Sequence, residues 1–334
     1  MDLQSYQTGV YFLVSLSFFL FALLDGFDLG IGLLLPFART REDSGRLVSH
    51  IAPFWDGNEI WLIIAGALVF AAYPVLLGML LGAIYLPFLL FIAGLIVRAM
   101  ALEYSYHDPA RQRLWHLAAA GGSGLASGIA LYALGVFLLG LPFESAGVLS
   151  QHPADYAAPF PLLVTLAGWV ILAWHGLTYA LSRAPAAATP ISPRTLWWGA
   201  VSASLALLIG WILWLPQTLR HPSALIGIAC CAAGIAGARL FLQRPGWAFR
   251  FSCLTLTGLW TLITGSLYPA VLPARLHPEW TLTIASDSAP AATLKLLLTL
   301  GLILVPIIIA YTWFIHRVLC RPKNRSRNPA DSLA

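Results

Sequence analysis

The chain has 334 residues, of which 59% are hydrophobic and only 10% are charged, and its mean hydropathy is +0.79. Soluble domains carry about 25% charged residues, so this composition excludes a soluble globular protein and predicts membrane-spanning helices. The net charge of +5 does not indicate nucleic-acid binding, because the basic residues form short clusters between apolar runs, as they do in membrane proteins.

Nine apolar runs are each long enough to cross a bilayer, which takes roughly 20 helical residues. We therefore expect an all-α polytopic membrane protein with a single transmembrane domain over residues 1–320. Residues 321–334 are polar and basic and are expected to form a disordered cytoplasmic tail. The nine predicted spans are 8–36, 52–74, 78–102, 115–140, 160–183, 196–216, 222–242, 249–271 and 291–318.

The basic residues predict which side of the membrane each loop faces. Fifteen of the 19 Lys and Arg residues lie in alternate loops and in the tail, and the positive-inside rule places these segments in the cytoplasm. Because the number of spans is odd, the N-terminus is then outside and the C-terminus inside. Two longer outer loops, 141–159 and 272–290, are expected to be ordered. The fifteen residues are Arg39, Arg41, Arg46, Arg111, Arg113, Arg183, Arg194, Arg239, Arg244, Arg250, Arg317, Arg321, Lys323, Arg325 and Arg327.

Acidic residues in the first two spans are the strongest signal of function. An ionisable group at mid-membrane costs about 2.5–3.5 kcal/mol, so such a group marks either function or pairing. Asp25 and Asp28 lie three residues apart near the end of the first span, and therefore share a helix face. Asp56 and Glu59 repeat this spacing near the start of the second span, where they could also simply complement the helix dipole.

The third span returns to the same side of the membrane and ends with Arg98 and Glu103. Five acids and one arginine from three consecutive helices are thus expected to converge at one depth near the cytoplasm. Arg98 could have no role other than neutralising the charge of a neighbouring acid. Trp55 and Trp61, in the second span, could be ordinary aromatic anchors at the membrane interface.

The histidines and cysteines do not predict a haem, copper, zinc or iron–sulfur site in this chain. Only His175 lies well inside a span, where a lone histidine is more often packed and hydrogen-bonded than a ligand. None of the four cysteines belongs to a C-x-x-C pair. The remaining histidines lie toward the cytoplasmic edge (His50, His107, His116, His316) or outside (His152, His221, His277), and the cysteines are Cys230, Cys231, Cys253 and Cys320.

Several motifs in this chain resemble subunit II of the cytochrome bd-type quinol oxidases. The most specific are LDGFDLG at residues 24–30 and WDGNEIW at residues 55–61, followed by FAAYP at 70–74. Further matches are the Tyr268-Pro269 pair, TLTIAS at 281–286, VPI at 305–307 and YTW at 311–313. The resemblance covers most of residues 8–318. The chain is short for this family, and membership of the cyanide-insensitive branch of the family is an open alternative.

The resemblance implies a nine-span fold, made of two four-helix bundles and one peripheral helix, in the bacterial inner membrane. It implies a haem-free subunit of a heterodimer, whose subunit I carries haem b and haem d-type groups and the quinol site; a small single-span subunit could accompany them. The complex would be an electrogenic quinol:oxygen oxidoreductase that reduces dioxygen to water with cytoplasmic protons.

The resemblance also implies roles for individual residues, none of them catalytic or metal-binding in this chain. The alternative from a different class is an ion-coupled secondary transporter, whose intramembrane acids would bind the coupling ion. The residues expected on or near a proton pathway are Asp25, Asp28, Asp56, Glu59 and Glu103, with Arg98 as their charge partner and Trp61 beside an oxygen route.

Overall fold

The computed structural model describes residues 2–183 and 191–319, which are almost entirely helical. The predicted tail and part of the predicted loop 184–195 lie outside these residues. The helices are α1 (Leu3–Leu34), α2 (Arg41–Ile51), α3 (Trp55–Ala72), α4 (Pro74–Ala83), α5 (Tyr85–His107), α6 (Gln112–Leu139), α7 (Pro153–Tyr156), α8 (Pro159–Arg183), α9 (Pro193–Trp214), α10 (Pro222–Leu240), α11 (Pro245–Leu267) and α12 (Ala291–Leu319). The strands are β1 (Phe143–Ser145), β2 (Val148–Leu149), β3 (Ala270–Leu272) and β4 (Leu282–Thr283), and 3-10 turns occupy Leu35–Phe37, Pro109–Arg111, Pro216–Arg220 and Pro278–Trp280.

Eight helices of the described residues are long and apolar enough to cross a membrane, which makes the chain a polytopic membrane protein. These are α1, α3, α5, α6, α8, α9, α10 and α12. The remaining predicted span, 249–271, corresponds to α11, which has 23 residues and packs against α8 and α10. Its threonines lower its hydropathy relative to the other helices; they are Thr255, Thr257, Thr261 and Thr264.

The predicted span 78–102 is wrong at its start. The chain turns at Tyr73-Pro74 as expected, but the short helix α4 follows and breaks at Ile84 before α5 begins. Pro87 explains the break, because its ring would clash with the carbonyl of Ala83 four residues earlier and it has no N–H to donate. The membrane-crossing helix is therefore α5, which continues to His107.

The predicted cytoplasmic loop 39–50 contains the amphipathic helix α2. Thr40 and Asp43 form a reciprocal capping box at its start, which satisfies backbone N–H groups that the first turn leaves free. Leu47, Val48 and Ile51 are buried against the bundle, so α2 lies across one end of it. We call this end of the molecule the α2 end.

The opposite end of the bundle is closed by the two ordered loops that the sequence predicts. The loops contain the antiparallel hairpins β1–β2 and β3–β4. They are joined to each other, since the Leu141 N–H donates to the Pro273 carbonyl at 2.8 Å and the Arg275 N–H donates to the Leu141 carbonyl at 3.0 Å. We call this end the hairpin end.

Helix α1 lies at the centre of the fold, where it packs against α3, α6, α8 and α12. Its approach to α8 requires glycine. A Cβ atom added to Gly30 would lie 1.9 Å from the Leu172 carbonyl oxygen, and one added to Gly176 would lie 2.6 Å from the Ile31 nitrogen. The two backbones are therefore in direct contact where α1 carries its acidic residues.

Candidate functional site

A buried cluster of acids around one arginine lies between α1, α3 and α5, toward the α2 end. Helix α1 contributes Asp25 and Asp28, which share a face because they are three residues apart. Helix α3 contributes Asn58 and Glu59 from its first turns, and α5 contributes Arg98. We call these five residues the acid–arginine cluster.

Arg98 and Asp25 form a two-pronged ion pair. Arg98 Nη1 donates to Asp25 Oδ2 at 2.9 Å, and Arg98 Nη2 donates to Asp25 Oδ1 at 2.5 Å. Both side chains are at most 1% exposed. Bidentate geometry of this kind is the strongest form of side-chain ion pair, and the pair fixes α1 against α5 inside the bundle.

Glu59 reaches the same guanidinium from a third helix. Its Oε1 atom lies 3.0 Å from Arg98 Nη2, but this oxygen accepts no hydrogen bond, so the contact is an ion pair without hydrogen-bond alignment. The Glu59 side chain is 20% exposed, whereas Asp25 is fully buried. Glu59 is therefore the acid through which the cluster reaches the surface of the chain.

Asp28 has a neutral partner. Asn58 Nδ2 donates to Asp28 Oδ2 at 2.8 Å and lies 3.5 Å from the Leu24 carbonyl. The other oxygen, Asp28 Oδ1, is buried and has no hydrogen-bond partner among the described residues. Asn58 was not among the expected site residues, although its position between two acids in the WDGNEIW motif could have suggested this role.

Asp56 and Glu103 lie outside the acid–arginine cluster, on other faces of their helices. Asp56 precedes the buried Asn58 by two residues, a rotation of about 200° on a helix, and it is exposed. Glu103 follows Arg98 by five residues, a rotation of about 140°. Its side chain is 64% exposed and lies 3.8 Å from His107.

Trp61 is buried in the bundle and is not placed as an interfacial anchor. It is 0% exposed and packs among apolar side chains of α1, α3 and α12. Its indole Nε1 has no hydrogen-bond partner among the described residues, which is unusual for a buried N–H group. Trp55, in contrast, is half-buried beside the core that contains α2.

His175 is packed and hydrogen-bonded, as the sequence predicts. Its Nδ1 lies 2.8 Å from Ser252 Oγ and its Nε2 lies 3.0 Å from the Leu23 carbonyl oxygen. Within residues 2–183 and 191–319, no group of three or more His, Cys, Asp or Glu side chains is arranged to hold a metal ion.

The family model for cytochrome bd terminal oxidase subunit II matches residues 6–319 of this chain. The chain belongs to this family. As a cytochrome bd subunit II it is an oxidoreductase subunit of a respiratory chain. The sequence-based resemblance is thus confirmed, and the family does not favour the ion-coupled transporter.

Named relatives of this subunit II come from several bacteria. The Escherichia coli K12 cytochrome bd-I ubiquinol oxidase subunit 2 is 27% identical over 87% of this chain and 88% of its own length. A probable cytochrome oxidase subunit 2 of Haemophilus influenzae is 26% identical over the same shares of the two chains. The Bacillus subtilis cytochrome bd ubiquinol oxidase subunit 2 is 25% identical over 92% of this chain and 94% of its own.

The fold is also that of one chain in a solved bd oxidase structure. A chain of the bd oxidase structure from Geobacillus thermodenitrificans superposes with a TM-score of 0.70, covering 96% of this chain and 99% of that one. Only 16% of residues are identical, so this likeness concerns the fold alone.

Proposed function

We propose that this chain is the haem-free subunit II of a cytochrome bd-type terminal oxidase complex, which oxidises quinol and reduces dioxygen to water. Its roles are to support the haem-carrying subunit I and to give cytoplasmic protons access to it. The single observation that carries the proton role is the acid–arginine cluster, which gathers three acids around one arginine within the bundle.

The proposed orientation places the α2 end in the cytoplasm of a bacterium. The loops at this end contain basic residues such as Arg41, Arg111 and Arg183, and the positive-inside rule favours a cytoplasmic position for them. With α11 as the ninth span, the nine helices form two four-helix bundles and one peripheral helix in the inner membrane. The hairpin end then faces outward.

The proposed place of the haem b and haem d-type groups is subunit I, because the described residues of this chain do not fit a haem. Both ring nitrogens of His175 already have partners within the chain. His116 has one free ring nitrogen, Nε2, but its ring is 3% exposed, and its Nδ1 is bound to Ser44 of α2. A haem between two histidines would require a second ligand at a compatible depth.

The proposed proton pathway uses the acids that Arg98 does not hold through hydrogen bonds. Asp25 is committed to Arg98 by two charge-assisted hydrogen bonds. Asp28 has an unpartnered oxygen, and Glu59 has no aligned hydrogen bond on Oε1, so both can bind or release a proton with little rearrangement. Exposed Asp56 and Glu103 would collect protons at the cytoplasmic surface.

The face of α3 and α5 is proposed to meet subunit I. Ile63 and Phe70 share the Glu59 face of α3, being four and eleven residues after it, and both are more than half exposed, as is Leu86 of α5. Lipid could cover these apolar groups, but the partly exposed Glu59 on the same helices argues for protein, since an acid facing hydrocarbon costs about 2.5–3.5 kcal/mol. A heterodimer interface here would place Glu59 next to the partner.

Trp61 is proposed to border an oxygen route. Dioxygen is small and apolar, and the buried indole belongs to an apolar core cluster that also contains Leu13, Phe21 and Leu68. This role derives from the family resemblance, and burial of the side chain is compatible with it.

Purification of the native complex through an affinity tag on this chain tests the proposed function. Haem absorbance should co-purify, together with quinol-dependent oxygen consumption, whereas the chain expressed without subunit I should bind no haem. A chain that carries haem when expressed alone, or that is active alone as an ion transporter, would contradict the proposal.

A further inference from the structure

His175 is fully buried, and neither the acid–arginine cluster nor any haem accounts for it. It lies on α8, stacks on Phe249 of α11 at a ring distance of 5.2 Å, and has Phe27 of α1 as a further neighbour. Burying an imidazole is unfavourable unless its nitrogens have partners, so the contacts of the two nitrogens indicate what the residue does.

The Leu23 carbonyl fixes the direction of one of the two hydrogen bonds of the ring. The Leu23 carbonyl can only accept, so Nε2 must carry a proton and donate across the 3.0 Å contact. Nδ1 lies 2.8 Å from Ser252 Oγ of α11, which also lies 2.7 Å from the Phe249 carbonyl oxygen. The side chain thus joins α1, α8 and α11 at one point.

The α1 partner lies directly beside the acidic residues. Leu23 precedes Asp25 by two residues and Asp28 by five, and at about 1.5 Å of rise per residue all three lie within about 8 Å along the helix axis. On the same side of α1, Gly30 is in backbone contact with Leu172 of α8. Helix α8 therefore contacts this part of α1 at two positions along the helix axis, at Leu23 and at Gly30.

The acids point away from this support, toward Arg98 and Asn58. Both contacts there depend on register, because a slip of α1 by one residue displaces each carboxylate by about 1.5 Å, whereas hydrogen-bond distances vary by only a few tenths of an ångström. A site of this kind works only when neighbouring groups hold its side chains to within about 0.5 Å.

We propose that His175 is a positioning residue for proton uptake: by donating to the Leu23 carbonyl, it keeps Asp25 in register with Arg98, and Asp28 with Asn58. The proposal rests on the proton role proposed above for the cluster. It assigns no proton transfer to the ring itself, whose nitrogens meet a hydroxyl and a carbonyl.

A matched pair of variants tests the proposal in the purified complex in vesicles. Gln and Met have nearly the same length and shape, but only Gln can donate to the Leu23 carbonyl. We expect His175→Met to keep its haem content and to turn over about twofold to tenfold more slowly, the range that loss of one hydrogen bond gives. The defect should grow as the pH on the proton-uptake side rises, because protons become scarce. His175→Gln should restore the rate and the pH profile.

Trp169→Phe serves as a control, since it removes a hydrogen bond from α8 to Ser127 of α6 at 3.0 Å, away from the acids. Its pH profile should match that of the unmodified complex. An unchanged pH profile in His175→Met, an equal defect in His175→Gln, or loss of haem and assembly in His175→Met would each overturn the proposal.

A parallel Asp28→Asn variant distinguishes failure of the positioning role of His175 from failure of the proton role of the cluster. If Asp28→Asn slows turnover while His175→Met does not, only the positioning role fails. If neither variant changes turnover or its pH dependence, the proton role of the cluster fails, and the positioning role fails with it.

Discussion

At the scale of single residues, the two acids of α1 share a helix face and are both fully buried, but they have different partners. Asp25 is held by a guanidinium through two hydrogen bonds, whereas Asp28 is held by one neutral amide. Removing one member of a buried ion pair leaves an uncompensated charge, which costs about 3–5 kcal/mol. Removing the charge of Asp28 leaves no such charge behind.

The two acids should therefore respond differently to the same substitution. We expect Asp25→Asn to destabilise the chain by about 3–5 kcal/mol, because Arg98 loses its bidentate partner, and to lower the yield of haem-containing complex. Asp28→Asn should assemble normally but turn over slowly. Haem absorbance per milligram of complex and oxygen consumption measure the two effects. Equal loss of assembly in both variants would show that Asp28 is a packing residue.

Replacing Trp61 should change the oxygen dependence of turnover more than the quinol dependence. Trp61→Ala widens the apolar space around the buried indole, so we expect the oxygen concentration for half-maximal turnover to fall while the corresponding quinol concentration stays constant. Trp174→Ala is the matched control, because Trp174 is 1% exposed, also has an unpartnered Nε1 among the described residues, and lies in a different core. Equal effects on both substrates, or the same effect in the control, would count against the oxygen route.

At the scale of helices, the contact between α1 and α8 depends on a glycine pair. Gly30→Ala would bring a methyl group to 1.9 Å from the Leu172 carbonyl oxygen, so the helices must separate. We expect the complex to lose most of its haem, because the acid–arginine cluster lies on the displaced segment. Gly121→Ala on α6 meets nothing within 4 Å and should have little effect on haem content. Normal haem in Gly30→Ala would mean that this packing tolerates the shift.

Helix α2 should bind the end of the bundle less tightly at low pH. Burial lowers the pKa of His50, and the charge of Arg183 lowers it further, whereas the hydrogen bond to the Arg46 carbonyl raises it. Free histidine has a pKa of about 6.5, so the undocked helix binds protons first and docking weakens as the pH falls below about 6.5. A spin label at exposed Ser49 should become more mobile in acid. His50→Gln should remove this response; if it persists, another group causes it.

The helices were predictable from the sequence to different degrees. Long apolar runs placed α1, α8 and α12 well, because hydropathy depends on composition alone. The break before α5 was missed, although Pro87 marks it, since the run around it stays uniformly apolar. Helix α2 was missed because its buried residues Leu47, Val48 and Ile51 are few, and its other residues resemble a loop.

The sequence predicts some members of the acid–arginine cluster but not which side chains pair within it. Spacing along each helix placed Asp25 and Asp28 on one face, and charge made Arg98 their expected partner. The rotation of α3 and α5 about their axes depends on tertiary packing, which a single sequence does not reveal. That rotation brings Asn58 into the cluster and leaves Asp56 and Glu103 outside it.

At the scale of the whole molecule, we predict which side of the membrane each end of the bundle faces. Reporter fusions at Arg111, beside the α2 end, and at Asp155, in the hairpin end, should report opposite sides of the membrane, with Arg111 in the cytoplasm. The basic residues drive this expectation through the positive-inside rule. Reporters on the same side would contradict the span assignment, and Arg111 outside would contradict the orientation.

The ion pair of Arg98 with Asp25 joins residues 73 positions apart, which has a consequence for synthesis of the chain. A ribosome adds about 5–20 residues per second, so α1 is made roughly 4–15 s before its arginine. During this interval Asp25 has no cation, and only the strongly apolar remainder of α1 can carry it into the bilayer. We expect α1 to stay at the translocon or nearby until α5 supplies the arginine. A pause in translation between the two helices would lengthen this wait and would expose the nascent subunit to proteases that survey the membrane.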